Sequence, residues 1–378
     1  MEREELAGWL RLVLTPGIGN STARRLLAAF GLPDAVFGQS PEALRQFLTD
    51  PQIRSLRTEP RALAAQLAAS WHWLQEEVGP GQRSIVALGD ANYPPDLLHI
   101  EDPPPVLYLT GVAPVSWPVA IAVVGSRNPT PQGLVNARHF ARSFAQAGFG
   151  VVSGLALGVD GAAHEGALEG AADGRTATVA VVGTGLDRVY PRQNLALARR
   201  IEQAGLIVSE YPIGTPPLPA NFPKRNRIIA ALSRGTVVVE AALQSGSLIT
   251  ARQAAEQGKD VFAIPGSIHS PQSRGCHALL KQGAKLVETA EDVLEELRLP
   301  GGQPAARQQV ANAAPDASSQ LADDTLLAAL GFDPVSLDAL VARTGISPAW
   351  LQGQLLELEL QGKVARLPGG LFQRVGAA

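Results

Sequence analysis

Phe222-Pro223-Lys224-Arg225-Asn226-Arg227-Ile228-Ile229-Ala230-Ala231-Leu232-Ser233-Arg234 carries four cations and no acid. If Pro223 opens a helix, Lys224, Arg227 and Arg234 fall near one face, with Ile228 and Leu232 near the buried side. A solvated amphipathic helix would have the same pattern. What sets the stretch apart is that Arg225-Asn226-Arg227 stands at a strand-to-helix entry, where a guanidinium makes forked contacts to phosphate. Phe222, just ahead of it, is either a face on which a nucleic-acid base stacks or a core anchor.

Other turns have matching chemistry. Gly125-Ser126-Arg127, the run Ser153-Gly154-Leu155-Ala156-Leu157-Gly158-Val159-Asp160, Gly183-Thr184-Gly185 and Ser245-Gly246-Ser247 each come after a short apolar run. Small residues let the backbone approach an anion, and a following helix supplies free N–H groups and partial positive charge. One such turn can serve packing alone, whereas several on one edge point to an anionic ligand. The first turn has no full G-x-G-x-x-G, and the chain has no P-loop and no H-E-x-x-H. Cys276 is the only cysteine, which excludes an intrachain disulfide and a cysteine-based zinc site. Asp160 reads as a helix N-cap and His164 as a hydrogen-bonding structural histidine. Glu240 is the one carboxylate at that edge worth weighing for catalysis, but hydrogen bonding to the Ser245–Ser247 loop is the simpler role.

The elements that must position these residues follow from the apolar runs. VAIAVV (119–124), VVSG (151–154), ATVAVV (177–182), LIVSE (206–210), TVVVE (236–240) and DVFAIP (260–265) are short and continuous, with helical segments between them. Continuous runs are strands buried on both faces, and strand–helix alternation predicts an α/β, doubly wound, mostly parallel sheet. Residues 1–78 read as a small helical domain, broken by Pro16, Gly17 and Gly19, and residues 79–299 as the sheet domain. The prolines at 94–95 and 103–105 read as a linker or extended arm, and residues 300–320 as a flexible linker. Residues 321–378 have helix–turn–helix spacing and a wing turning at Pro368-Gly369-Gly370. The second helix of that unit contains Glu357 and Glu359 and no basic residue, so it is expected to meet protein rather than DNA. The 378 residues carry 46% hydrophobic and 18% charged side chains, a net charge of −3, and no apolar run long enough for a membrane span. Without a signal-peptide layout, the expected location is the cytoplasm.

GSR (125–127), SGLALGVD (153–160), GTGLDRVYP (183–191), SEYP (209–212), FPKRNRIIA (222–230), VVEA (238–241) and SGSLITARQA (245–254) stand in the order found in the DprA/Smf (DNA-processing protein A) family, which the chain resembles over about residues 85–298. The N-terminal part also resembles that family's sterile-alpha-motif-like or helix-hairpin-helix domain, and the C-terminal part its winged helix. The resemblance implies an extended Rossmann fold that binds single-stranded DNA, requires no cofactor, and is not an enzyme. It implies a homodimer that loads RecA during natural transformation, with single-strand-binding protein as a further partner. Carried over by position, Gly125, Ser126, Arg127 and Arg192 would hold phosphate and Phe222 would stack on a base. Lys224, Arg225, Asn226 and Arg227 would line the groove, and Ser245, Gly246 and Ser247 would add backbone and hydroxyl contacts. Self-association is placed near Leu279, Leu280, Leu286 and Val287, residues that would otherwise fill the core. Two positions depart from the family: Pro219 where some relatives have lysine, and Gly275-Cys276-His277 where a G-x-N pattern is usual. The competing expectation is a nucleotide-binding or N-glycosidic-bond-cleaving enzyme on a related fold. The P-G-G-x-G-T turn of those phosphoribohydrolases is absent after TVVVE.

Overall fold

A computed structural model describes residues 1–76, 81–112, 116–172, 174–297 and 326–375. The linker expected at 300–320 lies outside them. Helices α1 (Arg3–Leu14), α2 (Asn20–Phe30), α3 (Pro33–Phe37), α4 (Pro41–Leu44), α5 (Asp50–Arg57) and α6 (Leu63–Gln75) come first. The Pro-Gly-Ile-Gly turn separates α1 from α2, with Gly17 at φ +82° in the left-handed region that glycine tolerates. A cluster of Leu12, Ala23, Leu26, Val36, Leu44 and Ile53 holds part of this bundle together.

The next elements are β1 (Gln82–Ala87), β2 (Val106–Gly111), β3 (Ala120–Val124), α7 (Pro131–Gln146), β4 (Gly150–Ser153), α8 (Val159–Gly170), β5 (Thr178–Val181), α9 (Leu195–Ala204) and β6 (Leu206–Ser209). They continue with α10 (Asn221–Ala231), β7 (Gly235–Val238), α11 (Ser247–Glu256), β8 (Asp260–Ala263), α12 (Arg274–Lys281), β9 (Lys285–Leu286) and α13 (Ala290–Leu297). All six apolar runs became strands. The nine-stranded sheet has the order β1-β2-β6-β5-β4-β3-β7-β8-β9. Pairing is parallel from β6 to β9 and antiparallel only where β2 meets β6 and β1 meets β2. Strands β3 to β7 are buried throughout, as continuous apolar runs require. One face packs on α10, α11 and α12 through Ile228, Ile229, Ala251 and Leu279. The other packs on α7, α8 and α13 through Phe140, Phe144, Ala163 and Val293.

The proline-rich stretch is not an arm. Tyr93, Leu97 and Ile100 sit in the same core as the sheet, and the Tyr93 hydroxyl donates to the Pro104 carbonyl at 2.8 Å. Its prolines set a tight path around buried side chains instead of an extended spacer. Besides the core of their own, the N-terminal helices share a second one with the sheet. Leu6, Trp9, Leu10, Leu63 and Trp73 pack with Ile85, Ala87, Val106 and Tyr108 of β1 and β2.

The C-terminal unit has helices Leu337–Thr344 and Pro348–Leu360 and a three-stranded sheet of β10 (Val335–Ser336), β12 (Leu371–Arg374) and β11 (Val364–Leu367) in that order. Its wing turns at Gly369 and Gly370, as expected, and its own core includes Leu340, Leu351, Leu355, Leu358 and Phe372.

Candidate nucleic-acid interface

In the sheet order, β3 lies between β4, reached through α7, and β7, which arrives later in the chain. The winding reverses there, so the crevice beyond the carboxyl ends of β3 and β7 is the expected ligand position of an open α/β sheet. A cleft of about 660 Å³ occupies it. Gly125, Ser126 and Arg127 line it after β3, Ser245, Gly246 and Ser247 at the start of α11, and Phe222, Arg225 and Asn226 from α10. Close packing brings these elements together. A Cβ on Gly125 would lie 2.7 Å from a methyl of Val159 and 2.9 Å from the Glu240 carbonyl, so only glycine fits. The Ser126 N–H donates to that same carbonyl at 2.7 Å.

Arg127 is exposed and makes no ion pair among the described residues. Its guanidinium carbon stands 5.6 Å from the centre of the Phe222 ring. Phe222 is half-buried, and its ring lies 5.6 Å from that of Tyr190 at 37°. Tyr190 is 45% exposed and lines the same cleft. Sequence reading missed it as a site residue, although it lies inside GTGLDRVYP. The Ser245 and Ser247 hydroxyls are 2.7 Å apart at the start of α11, and both residues line the cleft. The Pro219 departure also lines the cleft, and His277 Nε2 lies 3.0 Å from the Gly266 carbonyl oxygen.

Behind this front is a buried polar floor. Arg225 is 4% exposed and donates to the carbonyls of Gly154 (2.5 Å) and Val181 and to Asn226 Oδ1 (3.0 Å). Burial pushes its pKa down to about 10. Asp160 lies 4.0 Å from it and accepts N–H groups from Gly154 (3.1 Å) and Ala156 (3.3 Å). Burial raises the Asp160 pKa against those partners. Asp160 therefore pins the preceding loop and is not an N-cap, the cap position being Gly158. In that loop Leu155 is held at φ +57°, its N–H donating to His164 Nε2 at 3.3 Å while Asn194 Nδ2 donates to its carbonyl at 3.0 Å. His164 Nδ1 lies 2.7 Å from Thr178 Oγ1, the structural role expected of it.

Several expected site residues are elsewhere. Arg192 is exposed on the short turn Arg192–Asn194 and does not line the cleft, and neither does the exposed Lys224. Arg227 is 8% exposed and ion-paired with Asp102 at 2.8 Å and Glu210 at 2.7 Å, so it faces away from the groove. Glu240 accepts from the Thr130 N–H (2.8 Å) and hydroxyl (2.6 Å), anchoring the start of α7 and not the Ser245–Ser247 loop. Of the four residues assigned to self-association, Leu279 and Val287 are core side chains and Leu280 is half-buried against the core. Leu286 is 55% exposed.

A mostly parallel sheet whose switch-point cleft presents an arginine without an ion pair beside two tilted aromatic rings offers the contacts that a flat, anionic ligand would use. Residues 84–298 match the model of DNA recombination-mediator protein A, and residues 310–370 that of the DprA winged helix domain. The chain is 42% identical over 325 residues to Protein Smf of Escherichia coli, covering 85% of this chain and 84% of that one. It is 43% identical over 215 residues to the DNA processing protein DprA of Bacillus subtilis, covering 57% of this chain and 71% of that one. The solved structure of DNA processing protein A from Streptococcus pneumoniae superposes with a TM-score of 0.63 at 35% identity, over 79% of this chain and 99% of that one. DNA processing protein A from Helicobacter pylori, described for its single-stranded DNA binding mode, superposes at 0.51 with 33% identity, over 57% and 95%. The chain belongs to the DNA recombination-mediator protein A (DprA/Smf) family.

Proposed function

We propose that this protein binds single-stranded DNA in the switch-point cleft and, as a cytoplasmic homodimer, delivers it to RecA during uptake of transforming DNA. The observation that carries the reading is the Arg127–Phe222–Tyr190 arrangement, a free guanidinium beside two accessible rings. Splayed bases stack on such rings while the backbone meets the cation, a combination a stacked duplex cannot use. The Helicobacter pylori protein, whose structure was described for its single-stranded DNA binding mode, supports it. RecA, single-strand-binding protein and the dimer rest on family membership, and the exposed Leu286 on the edge strand β9 is the feature here that suits self-association.

The enzymatic alternative finds less support. Among the described residues, Asp160 is the one carboxylate lining the cleft, and it is occupied by Arg225 and two backbone N–H groups. Glu240 is committed to Thr130. The test is oligonucleotide binding across a salt series, run beside a nucleotide-hydrolysis assay. Single strands should bind more tightly than duplex, with affinity falling steeply as salt rises. Equal affinity for both forms, or base release from a nucleotide, would reject the reading.

A further inference from the structure

Arg227 has five N–H donors and the structure gives each an acceptor. Nε donates to Asp102 Oδ2 at 2.8 Å. Nη1 donates to Glu210 Oε1 at 2.9 Å and to the Lys224 carbonyl at 3.3 Å. Nη2 donates to Glu210 Oε2 at 2.7 Å and to the Asp102 carbonyl at 3.1 Å. A guanidinium saturated in this way has no fork left for a phosphate. Its two carboxylate partners tie α10 to other parts of the chain. Asp102 lies between β1 and β2, and Glu210 directly follows β6. Glu210 in turn accepts from Asn20 Nδ2 of α2 at 3.3 Å, while Arg24 of the same helix donates to the Ile100 carbonyl at 2.6 Å.

We infer that Arg227 and Glu210 are positioning residues: they fix α10, and with it Phe222 and Asn226, against the sheet and the N-terminal helices, and never touch the nucleic acid. The inference rests on the cleft being the DNA site but makes its own distinctions. If Arg227 met phosphate, neutralising its partner by Glu210→Gln would free the cation and tighten binding. If it positions α10, the same isosteric change loosens the helix and weakens binding.

The experiment measures binding of a labelled oligothymidylate to full-length parent, Glu210→Gln, Arg227→Gln and Arg127→Ala proteins over a salt series. It also follows hydrogen exchange of the α10 amides in the DNA-free proteins. Arg227→Gln and Glu210→Gln should each weaken binding about tenfold, with faster α10 exchange and the salt slope of the parent. Arg127→Ala should lower the slope by about 0.7, the value for one lost phosphate contact on a single strand. Tighter binding by Glu210→Gln, or a slope lowered by about 0.7 in Arg227→Gln, would overturn the assignment. If either variant fails to fold, Asp102→Asn, at a carboxylate 45% exposed, should give the same pattern in milder form, and α10 exchange unchanged from the parent would count against it. A parent protein that does not bind the oligonucleotide defeats the DNA reading, and the exchange comparison still decides whether the pair positions α10.

Discussion

Arg127 is an exposed cation in the cleft that no carboxylate among the described residues holds. Arg127→Ala should therefore weaken single-strand binding by about tenfold, whereas Arg61→Ala, an exposed arginine outside the cleft, should leave it unchanged. Equal losses in a gel-shift titration would remove Arg127 from the site. Phe222→Ala and Tyr190→Ala should each cost about 1–3 kcal/mol of binding if bases stack on them. Because the rings touch, the double variant should lose less than the sum of the two. An unfolding midpoint that drops with affinity in Phe222→Ala would point to a packing role instead. The buried floor has a signature of its own. His164 is held neutral by burial, its pKa pushed down to about 3, whereas an unfolded histidine titrates near about 6.5. Between those values the unfolded chain binds the extra proton, so stability is present above the unfolded pKa and is lost as pH falls from about 6.5 toward 3. One proton amounts to about 1.4 kcal/mol per pH unit, so roughly 2 kcal/mol should go between about pH 6.5 and 5. The raised carboxyls of Asp160 and Glu240 act in the opposite sense and are present in both proteins when parent is compared with His164→Gln. Urea midpoints should fall with acid more steeply in the parent, and parallel trends would refute the point.

At the scale of elements, the C-terminal helix Pro348–Leu360 exposes Trp350 (41%), Leu356 (57%) and Leu360 (82%) and carries Glu357 and Glu359. Such a face has nothing to offer phosphate. Removing residues 326–378 should change single-strand affinity by less than about twofold, well under 1 kcal/mol, as read by fluorescence anisotropy. A tenfold loss would make the winged helix part of the DNA site. Strand recognition from sequence worked where both faces are buried, because apolar continuity there has no competing cause. It failed at β1, where Gln82, Arg83 and Ser84 dilute the run, and at β2, whose VLYLTG directly follows three prolines that read as an arm. It failed again at β9, two residues long. At the cleft, Arg127 and the Ser245–Ser247 turn were legible as lining residues because each follows a recognisable strand, whereas Phe222 could be read either as lining or as core. The separate fates of Lys224, Arg225 and Arg227 were not. Three neighbouring cations look alike in a sequence, and what sorts them is a set of partners as distant as Asp102, 125 residues before Arg227.

For the molecule as a whole, Leu286 on the edge strand β9 is the place to test assembly. Leu286→Arg should convert a dimer to a monomer in sedimentation experiments at micromolar concentration, and an unchanged mass would move the interface elsewhere. The shared core of Leu6, Trp9 and Trp73 with β1 and β2 means that a chain starting at residue 79 would uncover Ile85, Ala87, Val106 and Tyr108. The antiparallel pairing of β2 with β6 also sets a timetable for synthesis. Tyr108 to Gly111 must wait for Leu206 to Ser209 before the strand has a neighbour on its inner side. At roughly 5–20 residues per second, the growing polypeptide carries that unpaired strand edge for about 5–20 s after it leaves the ribosome. The N-terminal bundle, already docked on β1 and β2, shields one face of this hairpin meanwhile. The helices at the start of the chain thus act as a nursery for the last antiparallel joint of the sheet.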